Sequence, residues 1–401
     1  MGMILPDAPW RHRPGLDRLV AALGAGEGLT RYVGGAVRDT LLGLPVADLD
    51  LATALPPAEV IARVRAAGLK AVPTGLAHGT ITAVLPDGPV EVTTLRRDVA
   101  TDGRHAQVAF TDDWRADAAR RDFTMNALSA EPAGGGVHDH FGGLDDLAAG
   151  RVRFIGQPLQ RIAEDYLRIL RFFRFHARFG RGDPDADGLA ACAARARDLM
   201  ALSRERIAQE LLKLLATEAP MPALRLMVAH LILAPVLPEI GEAGVDALGR
   251  LVTREAILAA ADPLRRLAAL LPPDPAVAEA VAIRLKLSNA QRRRLALAAQ
   301  PVAAEPRRLA FAIGVDAARD RMLLRAPDAR VAGDLAQLEE WQPPRLPIGG
   351  GDLVALGLPR GPIVAATLAG IERRWLDEDF PGPDRVRTLA AEAVAQALRA
   401  R

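Results

Sequence analysis

Apolar positions along this chain change their spacing near residue 150. Before that point short alternating runs are interleaved with short helical runs. After Pro158 the helical spacing continues almost to the end. Leu16 to Leu23 has the period of a short helix. Tyr32-Val33 is an apolar entry to Gly34-Gly35, followed by a predicted helix from Ala36 to Leu42 that Gly43 and Pro45 end. An alternating run then carries Asp48 and Asp50. Pro56-Pro57 opens an amphipathic helix with Val60, Ile61, Val64 and Ala67 inward and Gly68 as its stop. Ile81, Ala83 and Leu85 alternate with Thr80, Thr82 and Val84, Pro86-Asp87-Gly88-Pro89 predicts a turn, and Val90 to Leu95 returns as the second strand of a hairpin. Arg96 to Ala119 is polar and without a clear period, which predicts a long loop of functional or mobile character. The segment Arg120 to Ala130, RRDFTMNALSA, reads as a helix start.

The second half reads differently. Arg161 to Gly180 predicts one continuous helix, RIAEDYLRILRFFRFHARFG. Asp165, Arg168, Arg171 and Arg174 recur at every third position. At ~100° per residue they form a slanted band, which leaves Leu167, Ile169, Leu170, Phe172 and Phe173 for a core. Ser203 is placed to cap a helix running to Leu215, with Glu205 suited to its first turn. Helical patterns separated by prolines follow over 221–235, 245–260, 262–271, 275–286 and 289–300. Trp341 to Pro347 breaks the chain, and Gly349-Gly350-Gly351-Asp352 leads into another helix. The expectation is an α+β N-terminal part, a small mixed sheet with helices, followed by an all-α remainder.

Composition narrows this reading. The chain has 401 residues, half of them hydrophobic, enough for a substantial core in several domains. A single cysteine, Cys192, excludes a disulfide framework and fits a reducing cytoplasm. No apolar run approaches the ~20 residues of a membrane span, and the first residues lack the charged-then-apolar pattern of a secretory signal. The net charge of +2 is too small to imply a nucleic-acid partner, but residues 151–180 hold seven arginines against Glu164 and Asp165. The basic run from Arg284 to Ala298 is either a contact to RNA phosphates or a solvated helix face.

Candidate chemistry concentrates in YVGGAVRDTLLGLPVADLDLAT, Tyr32 to Thr53. A glycine pair ahead of a helix lets a ligand approach the backbone, and the helix start favours a phosphate. Arg38 adds a fork-shaped donor. Asp48 and Asp50 sit two apart, facing one way in an extended strand. Their mutual repulsion calls for a cation, and hard oxygen ligands suit Mg²⁺ shared with a phosphate substrate. Glu91 in the hairpin is either a third carboxylate at that metal or an ordinary exposed strand residue. Arg120-Arg121-Asp122 is either a capped, solvated helix end or part of a phosphate site. The dipeptide His138-Asp139 has no downstream histidines in a matching metal pattern and reads, with Gly142-Gly143, as a hinge.

The run GGAVRDTLLG followed by DLD resembles the head motif of the class II nucleotidyltransferases, the family of bacterial CCA-adding enzymes and poly(A) polymerases. RRDFTMNALSA, EDYLR, SRERIAQELLKLL and GGGDLVALGLPRGP resemble further motifs of that family, in the same order. The resemblance implies a nucleotidyltransferase head over 1–150, a helical neck that reads the base over 151–215, a helical RNA-binding body over 216–300 and a tail that contacts tRNA over 301–401. It implies Asp48, Asp50 and Glu91 as catalytic carboxylates, the first two holding Mg²⁺. Gly35, Arg38 and Arg121 would bind the triphosphate, and Asp165 and Arg168, with Arg171 and Arg174, the base and nucleotide. Chemistry supports such a pair: a carboxylate accepts from an exocyclic amine while a guanidinium donates to a ring nitrogen, which accepts C and A and rejects U and G. The implied reaction adds CCA to the tRNA 3′ end from CTP and ATP. Poly(A) polymerase and CC-adding activities remain as alternatives, and an inactive RNA-binding scaffold as a remote one. The presence of the 96–119 segment and the GLAHGTITAV strand favours full CCA addition.

Overall fold

The structure is a computed structural model that describes residues 2–101, 106–258 and 260–399. It divides into two compact units, Met1–Glu242 and Ala243–Arg401.

Among the described residues the first unit is built on a seven-stranded sheet. Its strands are β1 (Thr30–Val33), β2 (Asp50–Thr53), β3 (Lys70–Gly75), β4 (Thr80–Leu85) and β5 (Gly88–Thr94). A separate antiparallel pair, β6 (Arg96–Thr101) and β7 (Ala106–Phe110), follows, and then the short β8 (Ser129–Ala130) and β9 (Val137–His138) complete the main sheet. The order is β3-β4-β5-β2-β1-β8-β9. β2 and β5 run parallel, so a crossover must separate them, and α3 (Pro57–Ala66) with the β3–β4 hairpin supplies it. Val60 and Val64 of that helix are fully buried, and the β4 side chains alternate inward at Ile81, Ala83 and Leu85 as their pattern predicts. α1 (Leu16–Ala22) and α2 (Gly35–Leu41) fall where the sequence places them.

Two segments differ from expectation. Arg96 to Ala119 is not a loop: it forms the β6–β7 pair and α4 (Trp114–Ala119), whose N-cap Asp113 accepts from the Arg115 amide. The strand signal was masked because this pair packs as a small ribbon, with little apolar alternation. Residues 102–105 of the expected loop lie outside the described residues. RRDFTMNALSA does not begin a long helix; it turns through one 3₁₀ turn, Thr124–Asn126, into β8.

After α5 (Gly143–Ala149) the chain becomes helical, with α6 (Pro158–Glu164) and α7 (Leu167–Phe179). The continuous helix expected over 161–180 is broken. Asp165 has extended backbone angles, φ −153° and ψ 107°, and its carboxylate accepts from the Leu167 amide at 3.1 Å. Aspartate competes for nearby backbone donors, so it favours helix ends over interiors. The core face of α7 is as predicted: Leu167, Ile169, Leu170, Phe172 and Phe173 are all buried. The Phe172 ring lies parallel to Phe154 at 5.6 Å, and Phe123 packs 4.9 Å from Phe154. α8 (Ala186–Ala194), α9 (Arg204–Leu215) and α10 (Met221–Ala229) complete the unit, and Ser203 caps α9.

In the second unit α11 (Glu242–Glu255), α12 (Pro263–Leu270), α13 (Pro275–Arg284), α14 (Asn289–Ala298), α15 (Pro306–Ile313) and α16 (Val315–Arg325) follow one another; α12, α13 and α15 start at prolines, and Ser288 caps α14. Glu255 and Asp320 are buried acceptors for Arg265, Arg266 and Arg294. A smaller cluster of Leu353, Leu358, Ile371 and Leu389 holds the last helices together. No helix among the described residues is long and apolar enough to cross a membrane.

Candidate active site

β1 ends at Gly34-Gly35. Gly34 has φ +66°, and an added Cβ would sit 2.7 Å from Arg121 Nη1. The glycine therefore serves both a left-handed backbone and the close passage of a guanidinium. α2 begins at Gly35 and carries Arg38, which is buried. Its Nε donates to Asp39 at 2.8 Å and its Nη1 to Asn126 Oδ1 at 2.5 Å. Asn126 in turn donates to Asp122, whose second oxygen accepts from Arg171 Nε at 2.7 Å. A polar chain thus runs from α2 through the Asp122 turn to α7. Burial pushes the Asp122 carboxyl up, but Arg171, Asn126 and the Phe123 amide together hold it below the usual carboxylate range. This carboxylate is engaged by protein donors on both oxygens.

These groups surround a cavity of about 330 Å³ lined by Gly34, Gly35, Arg38, Arg121, Asp165 and Arg168, with Arg171 and Phe175 at its side. Burial pulls Arg121 below the ordinary arginine range, against Asp117 and Asp50. Arg174 is not among the lining residues. It donates to Glu210 of α9 at 2.6 Å and lies over the Phe175 ring.

A second cavity of about 760 Å³ holds Asp48, Asp50 and Glu91. The parallel register pairs Asp50 with Glu91, and Asp48 lies just before β2. Burial raises the Asp50 carboxyl, and Glu91 and Asp48 raise it further, while Arg121 opposes them. That Arg121 acts on Asp50 ties the two cavities together. The repulsion is what a hard divalent cation would relieve, so the donor set fits one. Among the described residues no three ligating side chains form a ready-made cage. An ion completed by water and substrate phosphate needs none.

Asp165 and Arg168 line one cavity but do not pair with each other. Arg206 of α9 binds both oxygens of Asp165, at 3.1 and 2.9 Å. Arg168 Nη1 donates to Glu164 at 2.6 Å and to the Arg161 carbonyl at 2.8 Å, and its Nη2 to the Arg120 carbonyl at 2.9 Å. The break at Asp165 removes the shared helical turn expected for the pair. Each group is instead oriented by its own partner. Sequence reasoning assigned no role to Arg206, Glu164 or Asn126. The signal available was on α9: Arg206 and Glu210, four apart, mirror the charge order of Asp165 and Arg174.

The model described as Poly A polymerase head domain matches residues 30–153, and the one described as probable RNA and SrmB- binding site of polymerase A matches residues 184–243. The chain is 35% identical to the mouse protein named CCA tRNA nucleotidyltransferase 1, mitochondrial, over 86% of this chain and 82% of that protein. Identity to the human protein of the same name is 34% over the same shares. The crystal structure of the Bacillus stearothermophilus CCA-adding enzyme in complex with CTP matches with a TM-score of 0.75 at 28% identity, covering 96% of this chain and 100% of that one.

Proposed function

The chain belongs to the family of the CCA tRNA nucleotidyltransferases, and on that premise we propose that it adds C, C and A in turn to the 3′ end of tRNA, from CTP and ATP and without a nucleic-acid template. One observation carries the reading: the glycine pair, Arg121, Asp165 and Arg168 line a single cavity whose neighbour holds the three carboxylates.

Enzymes of this family depend on metal. Here Asp48, Asp50 and Glu91 would hold Mg²⁺, which supplies Lewis acidity toward the RNA hydroxyl and shields the triphosphate charge. The chain's own groups do the rest. The Gly35 amide at the start of α2 and the Arg121 guanidinium bind the triphosphate, with Arg38 holding their frame through Asn126. The Asp165 carboxylate accepts from the exocyclic amine of C or A, and Arg168 donates to the adjacent ring nitrogen. U and G present the reverse edge and leave both groups unpaired, at about 1–3 kcal/mol each. Arg171 supports the pocket through Asp122. Within the two compact units, residues 1–150 act as the catalytic head, 151–215 as the neck, 216–300 as the body and 301–401 as the tail. The lone Cys192 is buried, and burial pushes its thiol pKa up, out of the reactive range. We propose a cytoplasmic location on the cysteine count alone, since a chain with one cysteine has no disulfide framework to form.

The test offers a tRNA transcript ending at the discriminator base, with Mg²⁺ and each labelled nucleotide, alone and combined. Three additions from CTP and ATP, abolished by a chelator, are expected. Arrest after two C additions makes it a CC-adding enzyme, and long A tracts from ATP alone make it a poly(A) polymerase. Tight tRNA binding with no incorporation leaves an inactive scaffold.

A further inference from the structure

Sheet order sorts the two cavities onto opposite sides of the carboxylates. Asp50 lies on β2, and Asp48 just before it. On one side lies β1, which leads into Gly34-Gly35 and the smaller cavity. On the other lie β5 and β4, which contribute Glu91 and Thr82 to the larger cavity. Neighbouring strands stand about 4.8 Å apart, so β1 and β5 flank β2 at roughly 10 Å from each other. In phosphoryl transfer the attacking and leaving oxygens stand roughly in line across the phosphorus. If the triphosphate is held on the β1 side, the RNA hydroxyl must come from the β5 side. The larger cavity is therefore the place for the RNA end.

That cavity is hostile to a phosphodiester. Asp48, Asp50, Asp87 and Glu91 line it, and the cation among its described lining residues is Arg13. Arg13 stands on an anchored segment. Trp10, three residues earlier, donates from Nε1 to Thr40 Oγ1 at 2.9 Å and packs edge-on against Tyr32 at 4.8 Å. Pro14 holds Arg13 in an extended conformation, φ −59° and ψ 135°. Its Nη2 donates to the Asp87 carbonyl at 3.0 Å, which aims the guanidinium over the β4–β5 turn and into the cavity. One bond occupies one of five donors, and the rest of the fork suits a phosphate.

Resting on the nucleotidyltransferase reading, we infer that the cavity beside β5 receives the 3′-terminal nucleotide of the RNA being extended, and that Arg13 binds the phosphodiester behind it. Arg13 is a positioning residue: it sets where the attacking hydroxyl lies without touching the incoming nucleotide. It belongs to a segment outside the motifs that carry the family resemblance, and its contribution follows from the sheet order together with its place over the β4–β5 turn.

The experiment compares the wild-type chain with Arg13→Ala and Arg13→Lys. It measures equilibrium binding of a CCA-less tRNA transcript over a range of salt concentrations, and steady-state CTP incorporation. For Arg13→Ala we expect tRNA binding weakened about fivefold, with the log–log salt dependence shallower by about 0.7, the slope carried by one phosphate contact on a single strand. The KM for tRNA should rise while the KM for CTP stays unchanged. Arg13→Lys should recover most of the salt slope. An unchanged salt slope and tRNA KM in a folded Arg13→Ala protein, judged by its unfolding midpoint, overturn the assignment and leave Arg13 as a brace for the turn. A wild-type protein that incorporates nothing overturns the functional reading instead, so the two failures are separable.

Discussion

Arg206 holds Asp165 with both carboxylate oxygens engaged, at 3.1 and 2.9 Å. The pair is about one-third exposed on each side, so its direct contribution to stability is small. Its consequence lies in orientation. A carboxylate fixed from behind by a guanidinium presents its free lone pairs in one direction, toward the cavity. Glu164 does the corresponding work for Arg168, with two backbone carbonyls fixing the rest of the fork. Arg206→Ala should therefore leave the chemistry intact and blur the reading of the base. Selection of CTP over UTP should fall about tenfold, equal to about 1.4 kcal/mol of lost discrimination, with KM for CTP rising more than kcat falls. Arg206→Lys should recover only part, since an ammonium cannot grip two oxygens in one plane. Single-nucleotide incorporation kinetics with each triphosphate measure this. Unaltered CTP/UTP selection in Arg206→Ala would reduce Arg206 to a structural brace.

At the scale of the element, α7 has two tasks that its faces divide. One face packs Phe172 and Phe173 into the aromatic cluster, and the other carries Arg168 and Arg171 toward the cavity. His176 lies on the buried side, 7% exposed. Burial pulls its pKa below the ordinary histidine value, with Asp183 opposing. The sign follows from proton binding: the unfolded chain takes a proton near pH 6.5, whereas the folded helix resists it. Stability is thus fully present above pH about 6.5 and falls as the pH drops below it. His176→Gln should flatten this part of the profile between pH 7 and 5, seen in urea midpoints measured across that range. An unaltered slope would assign the acid sensitivity to other groups. The same element shows why its break was hidden in the sequence: the apolar positions keep the helical period on both sides of Asp165, and period alone does not register a single extended residue.

The whole molecule comprises two compact units, and the second contains its own polar centre. Asp320, 1% exposed, accepts from Arg265 at 2.7 Å and from Arg294 at 2.5 and 3.0 Å. Glu255 takes Arg265 and Arg266 from the other side. Asp320, together with Asp262, holds Arg294 above its ordinary pKa. Removing one member strands buried charge, which costs about 3–5 kcal/mol. Asp320→Asn should lower the unfolding midpoint of the second unit accordingly, by calorimetry, whereas an exposed control such as Asp316→Asn should not. A loss under 1 kcal/mol would mean that the site relaxes and admits water. In the sequence these arginines belong to a population in which arginine greatly outnumbers lysine, and nothing local distinguishes the buried ones from the solvated ones.

Local order was written in the chain itself. The glycine pair with a positive φ at Gly34, the proline helix starts, the Ser203 cap and the inward alternation of Ile81, Ala83 and Leu85 depend on a few neighbouring residues, so period and turn chemistry suffice to find them. The α+β head followed by helices, and the family, were legible for the same reason. Tertiary structure alone decided what those elements bring together. It set Asp50 beside Glu91 through a parallel register and Asp165 against an arginine 41 residues away. It also folded the 96–119 segment into a ribbon and a helix, and laid Arg13 over the turn that follows β4. Such pairings depend on distance in space, which periodicity does not encode, and on burial, which determines whether a charge must find a partner or can remain in water.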